Sequence, residues 1–416
     1  MLFGRQKTCA HEEARDKTDK RDNDEIFFEL YSCLSFTSQN KEEAPTIRTL
    51  FSSSSKQSIF RKPGSYGILH LDKSGFIIDE EDNTMEHYHI YHYGNGIPDF
   101  LRECIETPIV QRIKSIGMNC GCEYTAFPQF ADIDSYSRYD HSIGVALIIW
   151  HFTHDRKQAI AGLLHDVASP VFAHVVDFMH GDYLTQESTE DGTEMLIADS
   201  TELQAVLRKN ELTTGDVCDY HRYPIADNDT PLLSADRLEY TIGNSINYRI
   251  CTIEDAKRFY SDLIIGTNEY GIEELMFKDA LVAETFAKAA LACSKIYISD
   301  ADRYAMQLLS EVLRYAIEHQ IISEDDLYST EPEVIGKFLS DERTASLWNS
   351  FCTYSRTTSA PQPKDSGCWR KISAKKRFID PMVQGEGRIS QLSSEFADSL
   401  NTFRRKNYDY WVCGQH

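Results

Sequence analysis

Four side chains in this sequence are of the types that hold a divalent metal. His141 opens the apolar run HSIGVALIIWHF, and the adjacent pair His165-Asp166 closes RKQAIAGLLHDVA. Asp236 lies in LLSADRLEYTIGN, where Leu232, Leu233, Leu238 and Ile242 supply an apolar face. A charged Asp in such a setting is costly unless a cation or polar partner satisfies it. Neutral imidazole and carboxylate are natural ligands of divalent transition metals. Two of each leave coordination positions open, so a bound water has its pKa drawn toward neutrality and becomes a nucleophile for phosphorus. A lone His or Asp at a helix end is ordinarily a capped structural residue. The whole set, each member embedded in an apolar helix, points to a metal site.

Three helices must position these residues. The first begins near His141 and carries Ile143, Val145, Leu147, Ile148 and Ile149 without a polar break. The second has Ile160, Leu163, Leu164 and Val167 as its stripe and is ended or bent by Pro170. The short THDR connector packs the two antiparallel, bringing His141 toward His165-Asp166. The third helix carries Asp236. Arg138 stands one turn before His141 on the same face, and a guanidinium beside a metal suits a phosphate chain.

The ordered H…HD…D pattern resembles the HD-domain metal-dependent phosphohydrolases. ETPIVQRIKSIGMNCGCEYTAFP (106–128), followed by SRYDHSIGV, is similar to the deoxynucleotide triphosphohydrolase branch over about 90–245. That resemblance implies a mostly α fold with an HD-domain helical core. It implies His141, His165, Asp166 and Asp236 as metal ligands, Arg138 and Arg237 facing substrate phosphates, and Tyr240 lining the substrate pocket. His174 and Asp177 fall on the family's P-F-S-H-x-x-D. Ser169 stands where the family has a phosphate-facing histidine, and Thr189-Glu190 where it has His-Glu. Glu190, His174 and Asp177 are then the acid/base candidates; for His174 and Asp177 a plain structural role stands at even weight.

Composition sets outer limits. The chain has 416 residues, 41% hydrophobic and 11% aromatic, enough for a substantial core. A net charge of −22 argues against nucleic acid as a partner, because phosphates would be repelled. A small anionic nucleotide-like substrate therefore needs local cations. Eleven irregularly spaced cysteines read as reduced thiols, and Cys120-Gly-Cys122 alone makes no metal site. The N-terminus is polar from Arg5 to Glu25, and the longest apolar run is too short for a bilayer. These features place the chain in the cytoplasm, away from membranes.

Three regions are expected. Residues 1–61 read as a charged arm and a Ser/Thr/Lys-rich linker. Residues 62–350 form the helical core, opening with a hairpin over 66–79 and a His-rich strand at 87–94. Helices follow at 97–116, 195–210, 255–264, 280–301, 303–319 and 331–339, with a polar lid over 180–192. Residues 351–416 are a C-terminal extension packing on the core or a neighbouring subunit. Its basic run CWRKISAKKRFIDPMVQG reads as extended, and either a solvated face or a phosphate contact across a subunit boundary fits it.

The reading is a metal-dependent phosphohydrolase acting on a nucleotide, dNTP triphosphohydrolase-like first and nucleotidase or phosphodiesterase second. The cofactor is a divalent ion: Mn, Fe, Mg, Zn, Co or Ni. Similar proteins imply a homo-oligomer. Ser169 and Thr189 motivate the alternative of a catalytically silent nucleotide- or metal-binding regulator; a protein-interaction scaffold is a third reading.

Overall fold

The computed structural model describes residues 69–71, 77–79, 96–181, 192–364 and 366–416. The arm and linker (1–61), the strand at 87–94 and most of the expected lid lie outside these residues. Within them the protein is mostly α with a few small sheets. The expected N-terminal hairpin is present: Leu69–Leu71 pairs antiparallel with Ile77–Asp79.

The helix Arg138–Thr153 starts where Ser137 and Asp140 form a reciprocal capping box, satisfying two orphan backbone N–H groups. Its residues are buried almost all round from Arg138 to Ile149, so it is a core helix rather than an amphipathic surface one. His154 takes a left-handed conformation, and Asp155 caps the next helix, Arg156–Leu164. The tight link folds that helix back against the first. A Cβ on Gly162 would lie 2.3 Å from Ile149 Cδ1. This second helix ends four residues earlier than periodicity suggests, because the His165 Nδ1–H turns back to the Gly162 carbonyl at 2.7 Å. The third helix, Ala235–Asn247, is capped by Ser234.

Two further expected helices are divided. The 97–116 stretch becomes Asp99–Ile105 and Pro108–Arg112, since a residue before proline is pushed out of the helical region. The 195–210 stretch becomes Thr193–Asp199 and Thr201–Lys209, broken where Ser200 caps the second.

Two apolar clusters form the core. One gathers the helices Arg138–Thr153, Arg156–Leu164 and Ala235–Asn247 with Ala280–Tyr297. The other gathers Val171–Met179 with Asp300–Glu318, Glu331–Ser340 and Glu342–Thr353. The chain crosses between them from Val167 to Val171, immediately after His165-Asp166. Arg112 holds that crossing, donating from Nη2 to the Val167 and Ser169 carbonyls at 2.8 Å each. Phe172 and Ala173 then adopt positive φ values of 57° and 47°, a strained backbone that persists only where its surroundings dictate it.

The C-terminal residues are tied to the same core. A hairpin that the sequence reading missed, Leu263–Thr267 with Glu273–Phe277, pairs in parallel through Phe277 with Val383. The buried Arg388 guanidinium donates to both Glu274 oxygens at 2.7 and 2.8 Å. Glu274 Oε1 also accepts the Leu233 N–H at 3.0 Å, just ahead of the Asp236 helix. Trp411–Gln415 returns as the middle strand of a second sheet, between Arg356–Ala360 and Trp369–Arg370.

Glu331, nearly fully buried, ties three segments together. Its carboxylate accepts from Gly117 N at 2.9 Å, Tyr124 Oη at 2.8 Å and Phe172 N at 3.4 Å. Burial, then the neighbouring Glu123, pushes its carboxyl up to about 7 from 4.5. A raised folded-state value means the folded protein holds this proton more tightly. Its stabilising contribution is therefore complete below pH 4.5 and is lost as pH rises through about 7. Glu331→Gln is expected to flatten the fall in melting temperature between pH 5 and 8. Thermal melts of the two proteins across that range check it, and parallel curves would remove Glu331 as the source.

Candidate metal centre

His141, His165, Asp166 and Asp236 converge. His141 Nε2 lies 3.2 Å from His165 Nε2 and 3.0 Å from Asp236 Oδ1. His165 Nε2 lies 3.4 Å from Asp166 Oδ2 and 3.8 Å from Asp236 Oδ1, and His141 Nε2 is 3.9 Å from Asp166 Oδ2. Donor atoms bound at about 2.0–2.2 Å around one ion stand roughly 3–4 Å apart; His141, His165 and Asp166 present ligand atoms within 4.8 Å of one another, and Asp236 joins them through the two imidazoles.

The hydrogen bonds behind the rings show why a cation fits. His165 Nδ1 faces a carbonyl that can only accept, so its proton sits on Nδ1. His141 Nδ1 faces Glu239 Oε2 at 2.5 Å and donates to it. In the neutral rings both Nε2 atoms are then bare lone pairs, 3.2 Å apart, beside two carboxylates. A divalent ion relieves that crowding of negative density. Without one the demand for positive charge falls on His141. Burial disfavours its charged form, but Glu239 and Asp236 outweigh burial and lift it to about 10.

Glu239 was not singled out in the sequence, although it stands three residues after Asp236 on the same helix. It is wholly buried and accepts from Tyr136 Oη as well as from His141. Two glycines make its room. A Cβ on Gly144 would lie 2.6 Å from Glu239 Cγ, and one on Gly243 would lie 2.5 Å from Tyr136 Oη. An acidic residue one turn after a candidate ligand, on the same helix, was the available signal.

Asp166 is held as firmly. Arg138 Nη1 donates to its two oxygens at 3.0 and 2.8 Å, and Ser169 Oγ donates to Oδ1 at 2.9 Å. Burial opposes the charged Asp166, but Arg138, His165 and His141 reverse that and hold its carboxyl far below the usual range. Arg138 was expected at substrate phosphate. The structure commits Nη1 to Asp166, and Nε is buried without a partner among the described residues. Ser169, where the resemblance expects a phosphate-facing histidine, serves the carboxylate instead.

The centre opens on a cavity of about 620 Å³, within the range of small-molecule sites. His174 lines it, with Nδ1 2.9 Å from Asp177 Oδ2. Asp177 is fully buried and does not line the cavity, so it orients His174 rather than meeting a ligand. Burial, then opposed by the Asp177 hydrogen bond, holds His174 below its ordinary pKa. Arg237 and Tyr240 both line the cavity. Arg237 Nη1 donates to Thr230 Oγ1 at 2.7 Å, and the Tyr240 ring meets Tyr297 edge to face. Glu190 and Thr189 lie outside the described residues. The basic C-terminal run supplies Lys375 and Arg377 to the wall of the same chain's cavity.

No family model matches the chain. An uncharacterized protein, YdhJ, of Bacillus subtilis is 29% identical over 247 residues, covering 59% of this chain and 71% of that one. A metal-dependent phosphohydrolase, cns2, of Cordyceps militaris is 23% identical over 298 residues, 70% of this chain and 83% of that one. Among solved structures, a phosphohydrolase from Bacteroides thetaiotaomicron superposes with a TM-score of 0.55 at 15% identity, covering 77% of this chain and 97% of that one. A hypothetical protein from Aquifex aeolicus gives 0.53 at 17% identity, covering 76% and 92%. The fold is shared with both. Among the described residues no helix is long and apolar enough to cross a membrane.

If Glu239 fixes the His141 ring, Glu239→Ala lowers divalent-metal affinity by about 10- to 100-fold, the usual effect of losing a partner behind a ligand. Gly144→Ala acts in the same direction by displacing Glu239. Calorimetric metal titration with circular dichroism as the folding control measures both. Unchanged metal affinity in the two variants would remove Glu239 from the site.

Proposed function

We propose that this chain is a metal-dependent phosphohydrolase of the HD type, acting on a nucleotide-like substrate. The observation that carries it is the convergence of the two imidazole Nε2 atoms, 3.2 Å apart, with Asp166 and Asp236, both Nδ1 atoms being tied back. The names of the Cordyceps relative and the Bacteroides neighbour point to the same class. His141, His165, Asp166 and Asp236 are the proposed ligands of one divalent ion. Such an ion supplies a water of lowered pKa and draws charge from a phosphoryl oxygen.

The chain's own residues do the rest. Arg138 keeps Asp166 charged and aimed. His174, held neutral at physiological pH and oriented by Asp177, is the group that exchanges a proton with substrate or leaving group. Arg237 and Tyr240 are proposed as substrate contacts. Within the class, dNTP triphosphohydrolysis is the first reading, and nucleotidase or phosphodiesterase action the second. A homo-oligomer, cytoplasmic like its substrate pool, belongs to the same proposal.

One observation favours a catalytically silent nucleotide-binding regulator: Ser169 is turned onto Asp166 and offers no acid/base group to the cavity. A panel of dNTPs, NTPs and monophosphates with Mn, Mg, Fe, Co and Ni separates the two. The hydrolase reading expects turnover that disappears in Asp166→Ala. It expects His174→Ala to lower kcat by about 10²- to 10⁴-fold, the range of a lost general acid or base, with metal content retained. Tight nucleotide binding without product under every metal would favour the regulator.

A further inference from the structure

We propose that Arg377 is a specificity-determining residue of this cavity, placed to bind a second anionic group of the substrate beyond the phosphorus that is attacked. The inference rests on the hydrolase reading and names its substrate class: a compound with at least two phosphoryl groups rather than a simple monophosphate.

Arg377 belongs to an extended strap running from Trp369–Arg370 to Met382–Val383. Arg303, almost fully buried, donates to the Ile372 carbonyl and is covered by the Tyr408 and Tyr410 rings. At the other end Asp380 Oδ1 accepts from Ser390 N at 2.9 Å, and Arg404 lies over the Phe378 ring. Between these anchors the residues of Lys375-Lys376-Arg377 divide by alternation, as in any extended chain. Lys376 turns outward: its Nζ donates to the Arg404 carbonyl at 2.6 Å and to that of Lys406, at the end of the helix Ser394–Arg405. Lys375 and Arg377 turn inward and line the cavity with the metal centre.

The cavity's other arginines are engaged. Arg138 grips Asp166, Arg237 donates to Thr230 and stands 3.9 Å from Asp227, and Arg303 holds the strap. Arg377 makes no hydrogen bond or ion pair with any described residue. Its charge reaches His174, Tyr240 and Asp302, side chains from three different segments around the same space. Its half-buried guanidinium, without a hydrogen-bond partner among the described residues, has donors left for an anion. Phosphate is the anion whose geometry its planar fork matches. Asp166 and Asp236 would be taken up by a bound ion, leaving Arg377 for charge the centre does not hold.

The test uses the full chain loaded with manganese, manganese also being in excess of the anion. Inorganic tripolyphosphate and orthophosphate are the probes, titrated calorimetrically. Wild type is expected to bind tripolyphosphate at least about tenfold more tightly than orthophosphate, since hydrogen bonds to charged groups have that size. Arg377→Gln is expected to lose about tenfold for tripolyphosphate and under about twofold for orthophosphate. Arg377→Lys keeps the charge and falls between them, so it carries the test if the Gln variant does not fold. Lys371→Ala, an exposed cation paired with Asp409, is expected to change neither. Equal losses for the two anions, or no loss in Arg377→Gln, overturn the proposal. Failure of the hydrolase reading shows separately, as wild-type binding without turnover of any phosphate compound.

Discussion

A buried carboxylate behind a histidine is the contact on which the rest depends. Glu239 holds the Nδ1–H of His141 and so turns Nε2 toward the centre. Placing an acid there is expensive, because burial raises the Glu239 carboxyl and only His141 and Tyr136 oppose that. The structure meets the expense by close approach. Gly144 and Gly243 remove the side chains that would otherwise keep the Arg138–Thr153 and Ala235–Asn247 helices too far apart. One hydrogen bond thus explains two glycines, a tyrosine and the spacing of two helices.

The position of the centre follows from how the two apolar clusters meet. The chain passes from one to the other directly after His165-Asp166, so the site lies where movement between the clusters would be felt. Arg112 and Glu331 hold the segments on either side of that crossing, and Arg388 holds Glu274 beside the Asp236 helix, through hydrogen bonds to backbone or carboxylate. Such bonds fix geometry more than they add stability, because both partners give up water to make them. A metal site tolerates little displacement of its donors, which is the reason for spending buried polar groups on its surroundings.

Charge is distributed unevenly to the same end. The chain as a whole carries −22, yet Arg138, Arg237, Arg303, Lys375 and Arg377 border one cavity. Asp166, Asp227, Asp229, Asp236 and Asp302 border it as well, so the cavity wall is balanced in formal charge although the chain as a whole is acidic. Two of these cations come from the C-terminal strap, so the wall of the site is completed by residues more than 130 positions after Asp236.

Much of the centre was legible in the sequence because ligand types, their order and their apolar surroundings are local properties. His141, His165-Asp166 and Asp236 could be picked out by their resemblance to the H…HD…D order and by the cost of burying charge in apolar runs, and the mostly α fold by helical periodicity. The breaks before Pro108 and at Ser200 were readable too, but periodicity alone ran through them. Tertiary structure decided what depends on facing partners. It turned Arg138 and Ser169 onto Asp166, set Asp177 behind His174 and put Glu239 opposite Gly144. It also folded Lys375 and Arg377 over a cavity built far earlier in the chain. Sequence reports what a residue can do; which atom stands across from it, at hydrogen-bond range, is fixed only when distant segments pack.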